Sequence, residues 1–202
     1  MGTVGQWGLD TALKRLKRAV LMPNIVYFDL ETQKSAQEVG GWGNIRDMRL
    51  SIGVTYSTAR QAYSIYTENQ AADLIKELQR ADWVVGFNIL RFDYTVLEPY
   101  ACFDFSQVPT LDLMVSIEEK IGHRIGLDAV AEASLGINKT AEGMQALKWW
   151  KEGKLREIAE YCCFDVKATK LVHEYGATGG KILFKSNRTQ LLQEVPVDWK
   201  LS

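Results

Sequence analysis

The segment Asn24-Ile25-Val26-Tyr27-Phe28-Asp29-Leu30-Glu31-Thr32 constrains this chain more than any other. Four apolar residues run unbroken from Ile25 to Phe28, just after Pro23 has interrupted the chain. A strand with one face in water alternates apolar and polar side chains, so an unbroken run predicts a strand covered on both faces. Two acids follow at once. Successive side chains on a strand point to opposite faces, so Asp29 and Glu31 share a face, about 6.5 Å apart along the chain. Carboxylates held side by side raise each other's pKa. A divalent cation relieves that repulsion, and oxygen donors suit Mg²⁺ or Mn²⁺. The same two acids also fit an ordinary polar strand end, so the pair alone does not decide the chemistry.

Downstream, residues 47–57 and 61–66 read as strands joined into a hairpin by a short polar link. Residues 70–80 carry Leu74, Ile75 and Leu78 at helical spacing, and 82–87 form another apolar strand. A helix is expected from Arg91 towards Cys102, and a short strand over 109–111. Helical periodicity then runs through 112–120, 127–134, 141–150 and 155–175, punctuated by Gly122, Gly126, Gly136 and Gly153. Before the first strand, residues 8–19 read as a helix with Asp10 or Thr11 as N-cap. Near the end, 181–184 and 191–197 read as a hairpin around Ser186-Asn187-Arg188, expected at a sheet edge and a candidate guide for single-stranded substrate. This order predicts an α/β fold: a mixed sheet, an antiparallel meander followed by parallel strands, flanked by helices. At 202 residues the chain suits one domain, with a core over about 24–176.

A net charge of −1 argues against a protein that coats nucleic acid by neutralising phosphates. It leaves room for a metal-dependent enzyme, in which bound cations supply the positive charge. The basic clusters Lys14, Arg15, Lys17, Arg18 and Lys148, Lys151, Lys154, Arg156 fit solvated helix faces better than a binding stripe. No run approaches the roughly 20 apolar residues a membrane helix needs. The three cysteines, Cys102, Cys162 and Cys163, offer neither a disulfide framework nor zinc-site spacing, and a reducing cytoplasm is the expected compartment. His123 and His173 read as structural or surface residues. Trp149 and Trp150 are adjacent, so one is expected in the core, leaving the other to stack on a base.

Two further pieces matter. In Val85-Gly86-Phe87-Asn88-Ile89-Leu90-Arg91-Phe92-Asp93, a strand ends at Gly86, Asn88 can start the next helix through side-chain turns, and Asp93 sits about one turn into it. Alone, Asp93 is an ordinary acid near a helix N-terminus. In Glu160-Tyr161-Cys162-Cys163-Phe164-Asp165, Tyr161 and Asp165 are four apart and share a helix face. Alone, that pair is a structural hydrogen bond. Taken together and in this order, Asp29-x-Glu31, Asn88 with Asp93 in Gly-Phe-Asn-x-x-x-Phe-Asp, and Tyr161-x-x-x-Asp165 resemble the three motifs of the DnaQ-like (DEDD) exonucleases of the RNase H-like superfamily. The second motif is similar to that of family B polymerase proofreading domains. The resemblance covers about residues 24–176. In the histidine branch a His lies five residues before the last Asp; here Glu160 occupies that place, so the chain resembles the tyrosine branch, DEDDy.

The resemblance implies an RNase H-like fold and 3′→5′ hydrolysis of nucleic acid to nucleoside 5′-monophosphates. It implies two divalent cations, Mg²⁺ or Mn²⁺, on Asp29, Glu31, Asp93 and Asp165, with Tyr161 orienting the attacking water. A phenol stays protonated near pH 7, so Tyr161 is not expected to be the base. Glu31 and the backbone near Leu30 and Thr32 would hold the terminal 3′-hydroxyl. Leu30 and Phe92 would wedge or stack on bases, as readily as they would serve as core residues. Asn88 would position chain or substrate, and Asp112 is expected as a helix N-cap that could also brace the site. The substrate is a DNA or RNA 3′ end, and any polymerase or helicase partner is expected as a separate chain. The competing readings are a catalytically silent nucleic-acid-binding module and an internally cutting RNase H-like nuclease.

Overall fold

The computed structural model describes residues 23–137, 143–186 and 191–201. The helix expected over 8–19, with its four basic residues, lies outside them, as does most of the turn at 186–188. Strand β1 (Ile25–Thr32) is the middle strand of a five-stranded sheet of order β3-β2-β1-β4-β5. β2 (Leu50–Ser57) runs antiparallel to β1, and β3 (Ala62–Thr67) antiparallel to β2. β4 (Trp83–Gly86) is parallel to β1, and β5 (Thr110–Asp112) parallel to β4. The meander followed by parallel strands is therefore present, and helices α1 (Ala71–Gln79) and α2 (Asp93–Leu97) lie in the crossovers.

The unbroken apolar run of β1 has the consequence expected of it. Val26, Phe28 and Leu30 enter one core with Leu74, Ile75 and Leu78 of α1. Tyr27, on the opposite face, enters a second core formed by α3 (Leu113–Ile121), α4 (Leu127–Leu135) and α6 (Leu155–Gly179). Alternation places Asp29 and Glu31 on the Tyr27 face, where α6 covers the sheet. The same strand thus supplies greasy anchors at its start and acids at its end.

Several boundaries differ from the sequence expectation. β2 begins at Leu50 because Arg49 adopts a left-handed φ of 60°, which ends extended pairing. The preceding stretch, Trp42–Asp47, forms a 3₁₀ turn. α2 stops at Leu97 because Pro99 has no N–H to continue the ladder, and a 3₁₀ turn, Glu98–Tyr100, takes over. The hairpin of β6 (Lys181–Lys185) and β7 (Leu192–Pro196) does not extend the main sheet. It is a separate two-stranded sheet whose Ile182, Phe184 and Val195 close the Tyr27-side core, because alternate residues of the pair are apolar. Trp149 and Trp150, on α5 (Gly143–Lys151), are both partly buried and both pack against that core, where one was expected to do so. The C-terminal Trp199 is 1% exposed and lies on Gly176, where any Cβ would come within 2.4 Å of the indole.

Candidate metal centre

β1, β4 and β5 are parallel, and their carboxyl ends open on one side, the usual place for chemistry in such sheets. β1 delivers Asp29 and Glu31 there. Between Glu31 and Thr32 the pairing with β2 shifts register, leaving Ser51 as the extra residue of a bulge. Bulges of this kind re-aim side chains next to sites. α6 crosses above and contributes Tyr161 and Asp165. Among the described residues, one carboxylate oxygen each from Asp29, Glu31 and Asp165 lie within 4.8 Å of one another.

This gathering is electrostatically unfavourable by itself. Burial pushes the Asp29 carboxyl well above its ordinary range, and the charges of Asp93, Asp165 and Glu31 push it further. Three oxygen donors, converging and mutually repelling, fit a hard divalent cation. Cys162 opposes the trend slightly: its thiol donates to Asp29 Oδ2 at 3.3 Å. The Tyr161 hydroxyl, on a residue 6% exposed, is hydrogen-bonded to Asp165. Burial raises the phenol's pKa far above its usual value, and Asp165, Glu31 and Asp29 add to the effect. The Tyr161 hydroxyl is therefore a hydrogen-bond donor, and its ring stands edge-on to Trp149 at 6.4 Å between centroids.

Asp93 is not part of that three-carboxylate group. It is the first residue of α2 rather than one turn in, and only 3% exposed. Its Oδ1 accepts the Leu30 N–H at 3.0 Å, which ties the end of β1 to α2. Burial and the charge of Asp112 push its carboxyl up to about 8. The Leu30 amide is thereby engaged, and the Leu30 side chain, 4% exposed, belongs to the core. Thr32 is also buried and donates from Oγ1 to the Lys34 carbonyl at 3.0 Å.

The expected side-chain turn at Asn88 is made by a different residue. Asn88 sits at φ 68°, a region asparagine tolerates, with its side-chain oxygen buried and unpartnered. The acceptor is Asp112, which takes the N–H groups of Asn88 at 2.8 Å and Leu90 at 3.0 Å. It also caps α3 through Met114 at 3.0 Å and Val115 at 3.3 Å. Asp112 is thus both the predicted cap and a brace, one carboxylate serving four amides. Gly86 is required just before this loop, because a Cβ there would lie 2.3 Å from Ile89 Cγ2.

A cavity of about 710 Å³ opens beside the acids. Asp29, Glu31 and Asp93 line it together with Trp42, Phe92 and Met144. Trp42 is 71% exposed and stands edge-on to Phe92 at 6.3 Å. Met144, on α5, is 69% exposed. Neither Trp42 nor Met144 was marked by any motif; the one hint was Gly40-Gly41 preceding the tryptophan. A second cavity of about 430 Å³ shares Phe87 and Asn88 with the first and has Asp165 and Arg124 in its wall.

Other candidates fall outside the centre. Glu160 is exposed and paired with Arg156 at 2.8 Å, so the histidine-branch position carries no ligand. Lys151 pairs with Glu38 and Lys154 with Glu152, as solvated faces do. His173 is buried and structural: Nδ1 meets the Tyr27 hydroxyl at 2.8 Å and Nε2 the Trp199 carbonyl at 2.9 Å. His123 is exposed, with Nδ1 3.1 Å from the Ile121 carbonyl. Among the described residues, the three cysteines are free, and no helix is long and apolar enough to cross a membrane.

Comparison with known proteins agrees with this architecture. A family B DNA polymerase from the hyperthermophilic archaeon Pyrobaculum calidifontis superposes with a TM-score of 0.59 at 16% identity, over 77% of this chain and 24% of the polymerase. The chain therefore spans about a quarter of that polymerase's length, and at this identity the likeness is one of fold. No curated protein matches the chain. The sequence model of the RNase_H superfamily matches residues 26–176, from the first strand that carries the acids through the helix that carries Tyr161 and Asp165. A match over that much of the sequence, on a mixed sheet with acids at its carboxyl ends, settles the family: the chain belongs to the RNase_H superfamily.

Proposed function

We propose that this protein is a 3′→5′ exonuclease of the DEDDy kind, which removes nucleoside 5′-monophosphates from single-stranded ends with the help of two divalent cations, Mg²⁺ or Mn²⁺. One observation carries the reading: three carboxylate oxygens, from Asp29, Glu31 and Asp165, gathered within 4.8 Å beside a phenol that is hydrogen-bonded to one of them. When bound, such cations supply Lewis acidity at the phosphate and lower the pKa of a ligated water to near neutrality. Asp29, Glu31 and Asp165 would hold one cation. Asp29 and the Asp93 oxygen not engaged by Leu30 would hold the second.

Burial and the neighbouring carboxylates hold the Tyr161 phenol above its ordinary pKa, so its hydroxyl orients the attacking water and does not remove its proton. Because the Leu30 amide belongs to Asp93, the terminal 3′-hydroxyl falls to Glu31 and the backbone at Thr32. Trp42 and Phe92 present aromatic surface in the same cavity, which suits unpaired bases. The 3′→5′ direction is supported by the order and content of the three motifs. A polymerase or helicase acting with this domain fits the same resemblance.

Oligonucleotides labelled at the 3′ or the 5′ end, incubated with Mg²⁺ or Mn²⁺, test the proposal. Mononucleotides released first from the 3′ end support it. Cutting of circular single strands would place the protein among internal nucleases, and metal binding without hydrolysis would make it a binding module. Asp29→Ala, Glu31→Ala and Asp165→Asn should each lower the rate about a hundredfold or more while the circular dichroism spectrum is retained. Tyr161→Phe should cost less, because it leaves the ligands in place.

A further inference from the structure

Cys162 is 0% exposed and lies at the crossing of α6 over β1, on the helix turn between Tyr161 and Asp165. Its Sγ is 3.3 Å from Asp29 Oδ2 and 3.4 Å from the Asp29 carbonyl oxygen, contacts between residues 133 apart in sequence. We propose that Cys162 is a positioning residue for the metal centre: its thiol hydrogen holds the Asp29 carboxylate in the rotamer that faces Glu31 and Asp165. The inference rests on the proposed metal centre.

The geometry supports a tether in preference to simple filling. A buried cysteine usually acts as a small hydrophobe, packed among aliphatic groups. Here the sulfur touches both oxygens that Asp29 offers on that side, one from the side chain and one from the main chain. A free carboxylate can rotate about χ1 and χ2, and three like-charged neighbours favour its turning away. One S–H donor, weak but buried, opposes that rotation. It also leaves the carboxylate's remaining lone pairs to a cation. Partners of metal-ligating carboxylates act in this way, by orienting a ligand they do not replace.

The test compares Cys162→Ala, which removes the donor together with the volume of the sulfur, with Cys162→Ser, which restores a donor at nearly the original size. Mn²⁺ binding is read by electron paramagnetic resonance, without substrate, and thermal melting in EDTA reports packing separately. Cys162→Ala should weaken Mn²⁺ binding about tenfold, at the low end for a supporting residue. Cys162→Ser should recover most of that loss even if its melting temperature is lower. Wild-type affinity in Cys162→Ala, or equal weakening in both variants, would overturn the inference. A second readout needs no metal: the infrared S–H stretch of Cys162 should lie at a hydrogen-bonded frequency and move upward in Asp29→Asn. A band unmoved by that change would also overturn it. If Cys162→Ser recovers the Mn²⁺ binding lost in Cys162→Ala but the wild type, with Mn²⁺ bound, hydrolyses no oligonucleotide, the nuclease reading fails and the role of Cys162 stands.

Discussion

Asp29 shows what the site costs the fold. Its carboxylate, partly buried, lies among three other acids, and each raises the free energy of its charged form. Without metal, that charge opposes folding at neutral pH. Asp29→Asn should therefore melt above the wild type in EDTA near pH 8, by about 2–4 °C for each kcal/mol relieved in a chain of this size. Scanning calorimetry decides it: a lower melting temperature would mean that the carboxylate is already compensated. Asp112 is the opposite case, an acid that stabilises. Asp112→Ala leaves four amides without their acceptor and should cost about 3 kcal/mol or more in urea denaturation. It should also lower activity, because the loop from Asn88 to Phe92 loses its anchor. The two acids differ in legibility for a physical reason. Strand alternation alone puts Asp29 and Glu31 together, whereas Asp112 meets Asn88 and Leu90 only because β4 and β5 become neighbours.

The elements with strong periodicity were legible, and those set by single residues were not. β1, α1 and α6 follow from apolar spacing. The 3₁₀ turn Trp42–Asp47 has no such pattern; it follows from the positive φ values of Gly40 and Gly41 before it and of Arg49 after it. α2 was expected to be longer, and Pro99 shortens it. The hairpin β6–β7 carries an alternating pattern that fits a sheet edge equally well; only the apolar surface of α4 and α6 assigns it to its own layer. The 3₁₀ turn is where element and function meet. It holds Trp42 out of the core and over the cavity that contains the acids. Loss of one base-stacking partner is worth about 1–3 kcal/mol. Trp42→Ala should therefore raise KM for single-stranded oligonucleotides about fivefold or more, with kcat largely kept. Steady-state kinetics on a short single strand would sink this if KM stayed unchanged.

At the scale of the whole molecule, one sheet separates two cores, and His173 ties the larger one together. Its ring joins Tyr27 in the central strand to Trp199 near the C-terminus, from a position on α6. In that bridge burial lowers the His173 pKa, more than the Trp199 carbonyl and Glu174 raise it. The unfolded chain therefore takes up a proton at higher pH than the native one. The stability due to the neutral ring is complete above the unfolded value of about 6.5 and is lost as pH falls from there through the folded pKa. The slope of that loss cannot exceed about 1.4 kcal/mol per pH unit for one proton. Asp29 and Asp93 work in the other direction: their raised carboxyl pKa values make the native state the better proton binder, so their contribution improves as pH falls. A melting curve of the wild type alone would mix the two. The difference between wild type and His173→Gln separates them, since glutamine keeps a polar side chain at the bridge but does not titrate. Urea midpoints measured without metal, from about pH 7.5 down to about pH 5, should show the wild type losing stability relative to His173→Gln across that range. Parallel profiles would mean that His173 is protonated as readily inside the fold as outside it, and that its bridge between Tyr27 and Trp199 does not require the neutral ring.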